Sequence, residues 1–201
     1  MPYNQSTGLK ILPKDENFTT TEILSINNWS IFFDKEAGKK IVLWDNSEFL
    51  DLEKPTIHPD KKSLKNDLIY LQMSKVWGKN SHCQRMKVGC LMVKNKSIIS
   101  DGYNGSPTGF PNVCEDEDMV TLPYVLHAEA NAITKLAKST QSSDGSTLYV
   151  NLSPCFECSK LIIQSGIKRV VFSEIYRKPE SLDFLFEAGI EIVKIANHNQ
   201  I

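Results

Sequence analysis

The chain has almost no net charge: 23 Lys and Arg face 24 Asp and Glu, a formal balance of −1 over 201 residues. Without a global positive field, nothing draws in long nucleic acid or an anionic membrane, and a small ligand is favoured. No apolar run is long enough to span a bilayer, and the opening Met1-Pro2-Tyr3-Asn4-Gln5-Ser6 lacks the basic and apolar regions of a secretory leader. A soluble, cytoplasmic protein is expected. Cysteine is sparse and odd in number, five in all (Cys83, Cys90, Cys114, Cys155, Cys158). That excludes a dense disulfide scaffold and predicts reduced thiols together with a metal site. With 41% hydrophobic and 23% charged residues the chain lies outside the compositional corner of disorder. Its length allows one domain with an appendage, or two small domains.

The first sixty residues are rich in Asn, Thr, Asp and Lys. They hold one clear signal, Trp29-Ser-Ile-Phe-Phe33 and Lys40-Ile-Val-Leu-Trp44 flanking Lys35-Glu-Ala-Gly38. Two β-rich runs about a short Gly-containing turn predict a hairpin, too small to stand alone and expected to dock on the body or on another subunit. Pro55 and Pro59 mark a connector. From Lys61 to Gly78, Leu64, Leu68, Ile69, Leu71, Met73, Val76 and Trp77 predict a helix with a broad apolar face, N-capped by Asp60. Strands Val88–Val93 and Ser97–Gly102 follow. Beyond the loop of Gly105, Pro107, Gly109 and Pro111 and the acidic stretch Glu115–Asp118, helices and strands alternate to Ile195. Alternation at this spacing predicts a largely parallel sheet covered by helices.

Cys155 and Cys158, spaced i and i+3, share one side of a first helical turn, and Ser153-Pro154 supplies a helix opening with Ser as N-cap and Pro at N1. The positive helix end lowers a thiol pKa and favours metal binding. Upstream stands His127-Ala128-Glu129. Residues i and i+2 of a helix point about 200° apart, so His127 and Glu129 share a pocket only if His127 lies at the non-helical N-terminal edge. One imidazole and two thiolates leave a fourth zinc position for water, whose pKa then falls to roughly 7. A C-x-x-C pair also suits redox chemistry, or half of a structural zinc site with Cys83, Cys90 or Cys114 as the fourth ligand. Glu129 has Ile133 at i+4, so no local ion pair accounts for it.

The H-x-E and P-C-x-x-C pattern is that of zinc nucleobase deaminases. With Val88-Gly89, Gly102-Tyr-Asn-Gly-Ser-Pro-Thr-Gly109, Tyr124-Val125 and Leu161-Ile-Ile-Gln-Ser-Gly-Ile167, the stretch from Lys65 to Ile195 resembles the deoxycytidylate (dCMP) deaminases of the cytidine deaminase superfamily. The resemblance implies a three-layer α-β-α sandwich on a mixed, largely parallel five-stranded sheet, in a deaminase domain of residues 61–201 behind an extension of residues 1–60. It implies one Zn2+ on His127, Cys155 and Cys158, with Glu129 taking a proton from water, passing it to N3 of cytosine and protonating the departing amine. The Ala128 N–H would hold the base carbonyl, the Ser153 carbonyl the amine, and Asn104 the sugar. Arg85, Tyr176, Arg177 and Lys178 are the candidates for the phosphate. The resemblance further implies a homo-oligomer, a hexamer favoured, with dCTP and dTTP as effectors near Tyr103, Asn104 and Gly105. Two other readings stay open. One is deamination of another free nucleotide, or of a base in tRNA or single-stranded DNA, the polynucleotide case being opposed by the near-neutral charge; the other is a non-catalytic, zinc-stabilised nucleotide-binding module, opposed by Glu129.

Overall fold

The computed structural model describes residues 61–176 and 180–195, with side chains from Lys65 onward, and the backbone of four strands between residues 20 and 49. Those four, β1 (Thr20–Ile26), β2 (Trp29–Asp34), β3 (Lys39–Trp44) and β4 (Glu48–Phe49), form an antiparallel sheet in chain order. The expected hairpin is β2 with β3, registered through Ile31 opposite Val42 and Phe32 opposite Ile41. The flanking strands β1 and β4 were not anticipated. The Lys35–Gly38 turn, the Pro55 and Pro59 connector and the proposed Asp60 cap lie outside the described residues.

The body begins with α1 (Lys61–Trp77), continues through β5 (Gly89–Lys94), β6 (Ser97–Tyr103), α2 (Ala128–Leu136), β7 (Thr147–Leu152), α3 (Phe156–Gln164) and β8 (Arg169–Glu174), and closes with α4 (Glu180–Glu187) and β9 (Glu191–Lys194). The sheet order is β6-β5-β7-β8-β9. Strand β5 is antiparallel to both β6 and β7, whereas β7, β8 and β9 pair in parallel, so four strands point one way and β5 alone runs against them. The expected mixed, largely parallel sheet is present. Central strands with two covered faces must be apolar at every position. Accordingly Cys90, Met92, Leu148, Val150, Val170 and Phe172 face the layer of α2, α3 and α4, while Leu91, Val93, Tyr149, Val171 and Val193 face α1. Among the described residues no helix is long and apolar enough to cross a membrane.

Helix α1 departs from expectation. Its inward positions are Asp67, Leu71 and Ser74, all buried, whereas Ile69, Met73, Val76 and Trp77 are exposed. The cause is an ionic anchor under the helix. Asp67 accepts both Arg169 Nη1 (2.8 Å) and Nη2 (2.7 Å) and the Tyr149 hydroxyl (2.6 Å). Arg169 Nε donates to Glu191 at 2.9 Å. This bidentate fork ties α1 to β7, β8 and β9 and rotates a charged residue into the place an apolar one was expected to fill. On the opposite face, a Cβ at Gly102 would overlap the Ala128 carbonyl oxygen and stand 2.7 Å from the Ala132 amide nitrogen. Glycine therefore lets the first turn of α2 rest directly on β6.

Removing one partner of a buried ion pair strands the other, at a cost of roughly 3–5 kcal/mol. Arg169→Met is therefore expected to lower unfolding free energy in urea by about 3 kcal/mol, and Asp67→Leu combined with Arg169→Leu to recover only part of the loss, because the Tyr149 hydroxyl and Glu191 then lose their partners. A change under about 1 kcal/mol would show that water solvates Asp67 adequately.

Candidate active site

Strands β6, β7 and β8 end on the same side of the sheet, and the helices that follow β6 and β7 begin there. His127 is the N-cap of α2 in extended conformation (φ −73°, ψ 156°), at the non-helical edge its pairing with Glu129 requires. Helix α3 begins one turn-fraction later than expected: Cys155, not Ser153, is its N-cap, and Cys158 sits in its first turn. Ser153 and Pro154 are instead occupied in closing the strand ends. The Ser153 N–H donates to the Glu174 carbonyl, its Oγ accepts the Tyr176 N–H at 2.8 Å, and the Pro154 carbonyl accepts Ser181 Oγ.

The two helix starts bring three donor atoms together. His127 Nδ1 lies 3.3 Å from Cys155 Sγ and 3.4 Å from Cys158 Sγ, and all three atoms fall within 4.8 Å of one another. A tetrahedral zinc with ordinary Zn–N and Zn–S bonds needs an N···S edge of about 3.5 Å. The donor set and spacing fit zinc, with no fourth protein ligand in the cluster among the described residues. Cys158 hydrogen-bonds to the Cys155 sulfur, which, with His127, holds the Cys155 thiol down at about 4. The same hydrogen bond, burial and the Glu129 charge push Cys158 well above the usual thiol range. Glu129, 4% exposed in the first turn of α2, is raised above the normal carboxylate range, first by burial; its own backbone amide, His127 and the Cys158 thiol only partly offset this.

The ligands open into a cavity of about 340 Å3. His127, Glu129, Cys155, Ala128, Ser153, Asn104, Arg85 and Tyr176, all singled out from the sequence, line it. Cys158 is buried beneath, Tyr103 and Gly105 are not part of the lining, and Arg177 and Lys178 lie outside the described residues. Asn104 is also a brace: its Oδ1 accepts the Val88 N–H and its Nδ2 donates to the Met86 carbonyl, both at 2.8 Å.

Sequence reasoning missed Glu115, Thr121 and Glu174 in the wall. Glu115 was submerged in an acidic run. It also missed the disulfide between Cys83 and Cys114. The expectation of reduced thiols is corrected for this pair, which sits at a Cα separation of 5.1 Å because the strand-end loop folds back over the segment that follows α1. Neither cysteine is then available as a fourth zinc ligand, and Cys90 is buried in the core.

A zinc site at the mouths of parallel strands, with a buried carboxylate beside it, defines a zinc-dependent deaminase centre. The family profile described as "Cytidine and deoxycytidylate deaminase zinc-binding region" matches residues 64–174, and the chain belongs to that family. Deoxycytidylate deaminase of Enterobacteria phage T4 is 36% identical over 172 residues, covering 64% of this chain and 89% of that one. The Saccharomyces cerevisiae deoxycytidylate deaminase is 34% identical over 136 residues, covering 63% of this chain and 43% of that one. The crystal structure of dCMP deaminase from cyanophage S-TIM5 in complex with dCMP and dUMP is 44% identical, with a TM-score of 0.64, covering 69% of this chain and 100% of that one.

Because the metal-free thiol pair keeps one proton, zinc loading must expel it. Between the depressed pKa of Cys155 and the raised one of Cys158, the thiols release one proton per zinc, so their contribution strengthens apparent affinity about tenfold per pH unit upward. Zinc competition titrations at several pH values check this. Cys155→Ala should lose zinc, as read by metal analysis of the purified protein, and retention of a full equivalent would remove it from the ligand set.

Proposed function

We propose that this chain deaminates dCMP hydrolytically, giving dUMP and ammonia. The observation that carries the proposal is the buried Glu129 carboxylate beside the three-donor cluster, on the floor of a cavity whose rim bears Arg85. The relatives named above, and a structural neighbour holding dCMP and dUMP, support the substrate. His127, Cys155 and Cys158 would hold zinc, which when bound would supply Lewis-acid activation of water. Glu129, whose proton affinity burial raises, takes the proton, delivers it to N3 of the base and then protonates the leaving amine. The Ala128 N–H orients the base carbonyl and the Ser153 carbonyl orients the amine. Asn104 meets the sugar, and Arg85, Tyr176, Arg177 and Lys178 meet the phosphate.

The same reading assigns catalysis to residues 61–201, with residues 1–60 as an extension, in a cytoplasmic homo-oligomer, a hexamer favoured. It gives Tyr103, Asn104 and Gly105 to the effectors dCTP and dTTP. Support for coupling lies in the loop itself: Asn104 lines the cavity, its neighbours do not, and Asn131 of α2 donates to the Tyr103 carbonyl at 2.9 Å.

The test is ammonia release from dCMP, CMP, dCTP and deoxycytidine. A site with charge-assisted phosphate contacts prefers dCMP over deoxycytidine in kcat/KM, and equal values would remove the phosphate site. Glu129→Gln should retain zinc while losing about 10²- to 10⁴-fold in rate; near-normal turnover would remove its assigned role. In the same assay dCTP should shift the dCMP saturation curve to lower concentration and dTTP to higher, and indifference to both would withdraw the effector assignment.

A further inference from the structure

The segment from Ser81 to Val88, which carries Arg85, contains no helix or strand. Its backbone is fixed by other means. At its start Ser81 Oγ donates to the Asn104 carbonyl at 2.7 Å, and at its end the Asn104 carboxamide grips Met86 and Val88. Between these braces one side chain among the described residues holds Arg85's own backbone. Glu115 Oε1 accepts the N–H groups of both Gln84 and Arg85, each at 3.2 Å, and Oε2 accepts Gln84 N–H at 3.2 Å.

Glu115 is 8% exposed and lies in the cavity wall. It pairs with Thr121 at the base of a short antiparallel turn. Its neighbour Asp116 does what acidic turn residues usually do, accepting the N–H groups of Asp118 and Val120 within that turn. Glu115 instead spans about thirty residues of sequence to hold a separate segment. A buried carboxylate facing a pocket for an anionic substrate is electrostatically unfavourable unless it performs a service there. The service visible in the geometry is to fix the backbone from which a long, exposed, rotamer-rich arginine reaches the cavity, lowering the ordering cost of an ionic contact.

We propose that Glu115 is the positioning residue for phosphate recognition: by anchoring the Gln84–Arg85 backbone it sets the preference for a nucleoside monophosphate over the free nucleoside. The inference rests on the proposed role of Arg85 as a phosphate contact. A residue acting only through Arg85 affects substrates that carry a phosphate and leaves the nucleoside reaction alone.

The experiment uses full-length, zinc-loaded enzyme, with ammonia release measured on dCMP and deoxycytidine for wild type, Glu115→Gln, Glu115→Asp, Arg85→Met and the double variant Glu115→Gln/Arg85→Met. Glu115→Gln is expected to raise KM for dCMP about tenfold, the size of a lost charge-assisted hydrogen bond, with kcat and the deoxycytidine kcat/KM within about twofold of wild type. Glu115→Asp should recover part of the loss. The double variant should be no worse on dCMP than Arg85→Met alone, because both changes remove one interaction. Loss of zinc, a failure to fold, or equal losses on both substrates would overturn the inference by showing a general structural role. An unchanged KM for dCMP would overturn it by showing that the Cys83–Cys114 disulfide fixes the loop without the carboxylate. If wild type itself shows no preference for dCMP, the phosphate reading falls and takes this inference with it. A silent Glu115→Gln in an enzyme that does prefer dCMP sinks this inference alone.

Discussion

Everything functional in this protein depends on two helix N-termini meeting at one point above the sheet. His127 caps α2 and Cys155 caps α3, and neither side chain caps its own helix by hydrogen bonding, which leaves both donor atoms to converge. The positive ends of two helices aimed at one spot favour thiolate there. That convergence constrains the layers below. Helix α2 reaches its position only because Gly102 has no Cβ to hold its first turn off β6, and Ser100 Oγ then donates to the Ala132 carbonyl at 2.7 Å, registering helix on strand. Gly102, which looks like part of a loop motif, is in this sense a residue of the metal site.

The sheet contributes through its single reversed strand. With β5 running against its neighbours, its start at Gly89, rather than its end, lies beside the strand mouths, so the irregular segment from Ser81 to Val88 enters the cavity wall from the α1 side. Were β5 parallel to its neighbours, its C-terminal end, and the chain leaving it, would lie there instead. The reversal thus admits a wall whose shape is set by side-chain to backbone hydrogen bonds from Asn104 and Glu115. Asn151 completes the seam by accepting the Gly89 N–H at 2.8 Å and donating to the Lys87 carbonyl at 3.1 Å.

How far these features are legible in sequence follows from the range of the forces involved. The metal ligands and Glu129 are local patterns: each sits within a few residues of a helix start, and helix geometry alone decides whether the members of each pattern face together. Strand and helix order was legible for the same reason, since periodicity is a short-range signal. The inward face of α1 was misread because Asp67 is buried by Arg169, 102 residues away, and no local pattern announces that pairing. The Cys83–Cys114 bond and the reach of Glu115 are likewise contacts between distant segments, and a cysteine count weighed against domain size has no means of detecting one such bond. The α3 start was misplaced because Ser153-Pro154 does have the local form of a helix opening, but the ends of β7 and β8 claim its hydrogen bonds first.

The electrostatics of the centre have a common cause in this arrangement. Burial alone would raise every acidic group near the cavity floor, and it does raise Glu129. Cys155 moves the other way because it lies at the open side of the cluster and receives a hydrogen bond from Cys158, which keeps the proton in a more enclosed position. One fold thus provides a thiol of depressed pKa, a second thiol that must release its proton to solvent before a metal can bind it, and a carboxyl whose affinity for a proton is enhanced, all around one point. Separating pKa values by environment rather than by residue type is how a small site obtains both ligands and an acid–base group. Here the thiols are separated first by the hydrogen bond between them and Glu129 is raised first by burial, and both depend on where the two helix ends converge, so a change that slides α2 on β6 disturbs the cluster and the carboxylate together.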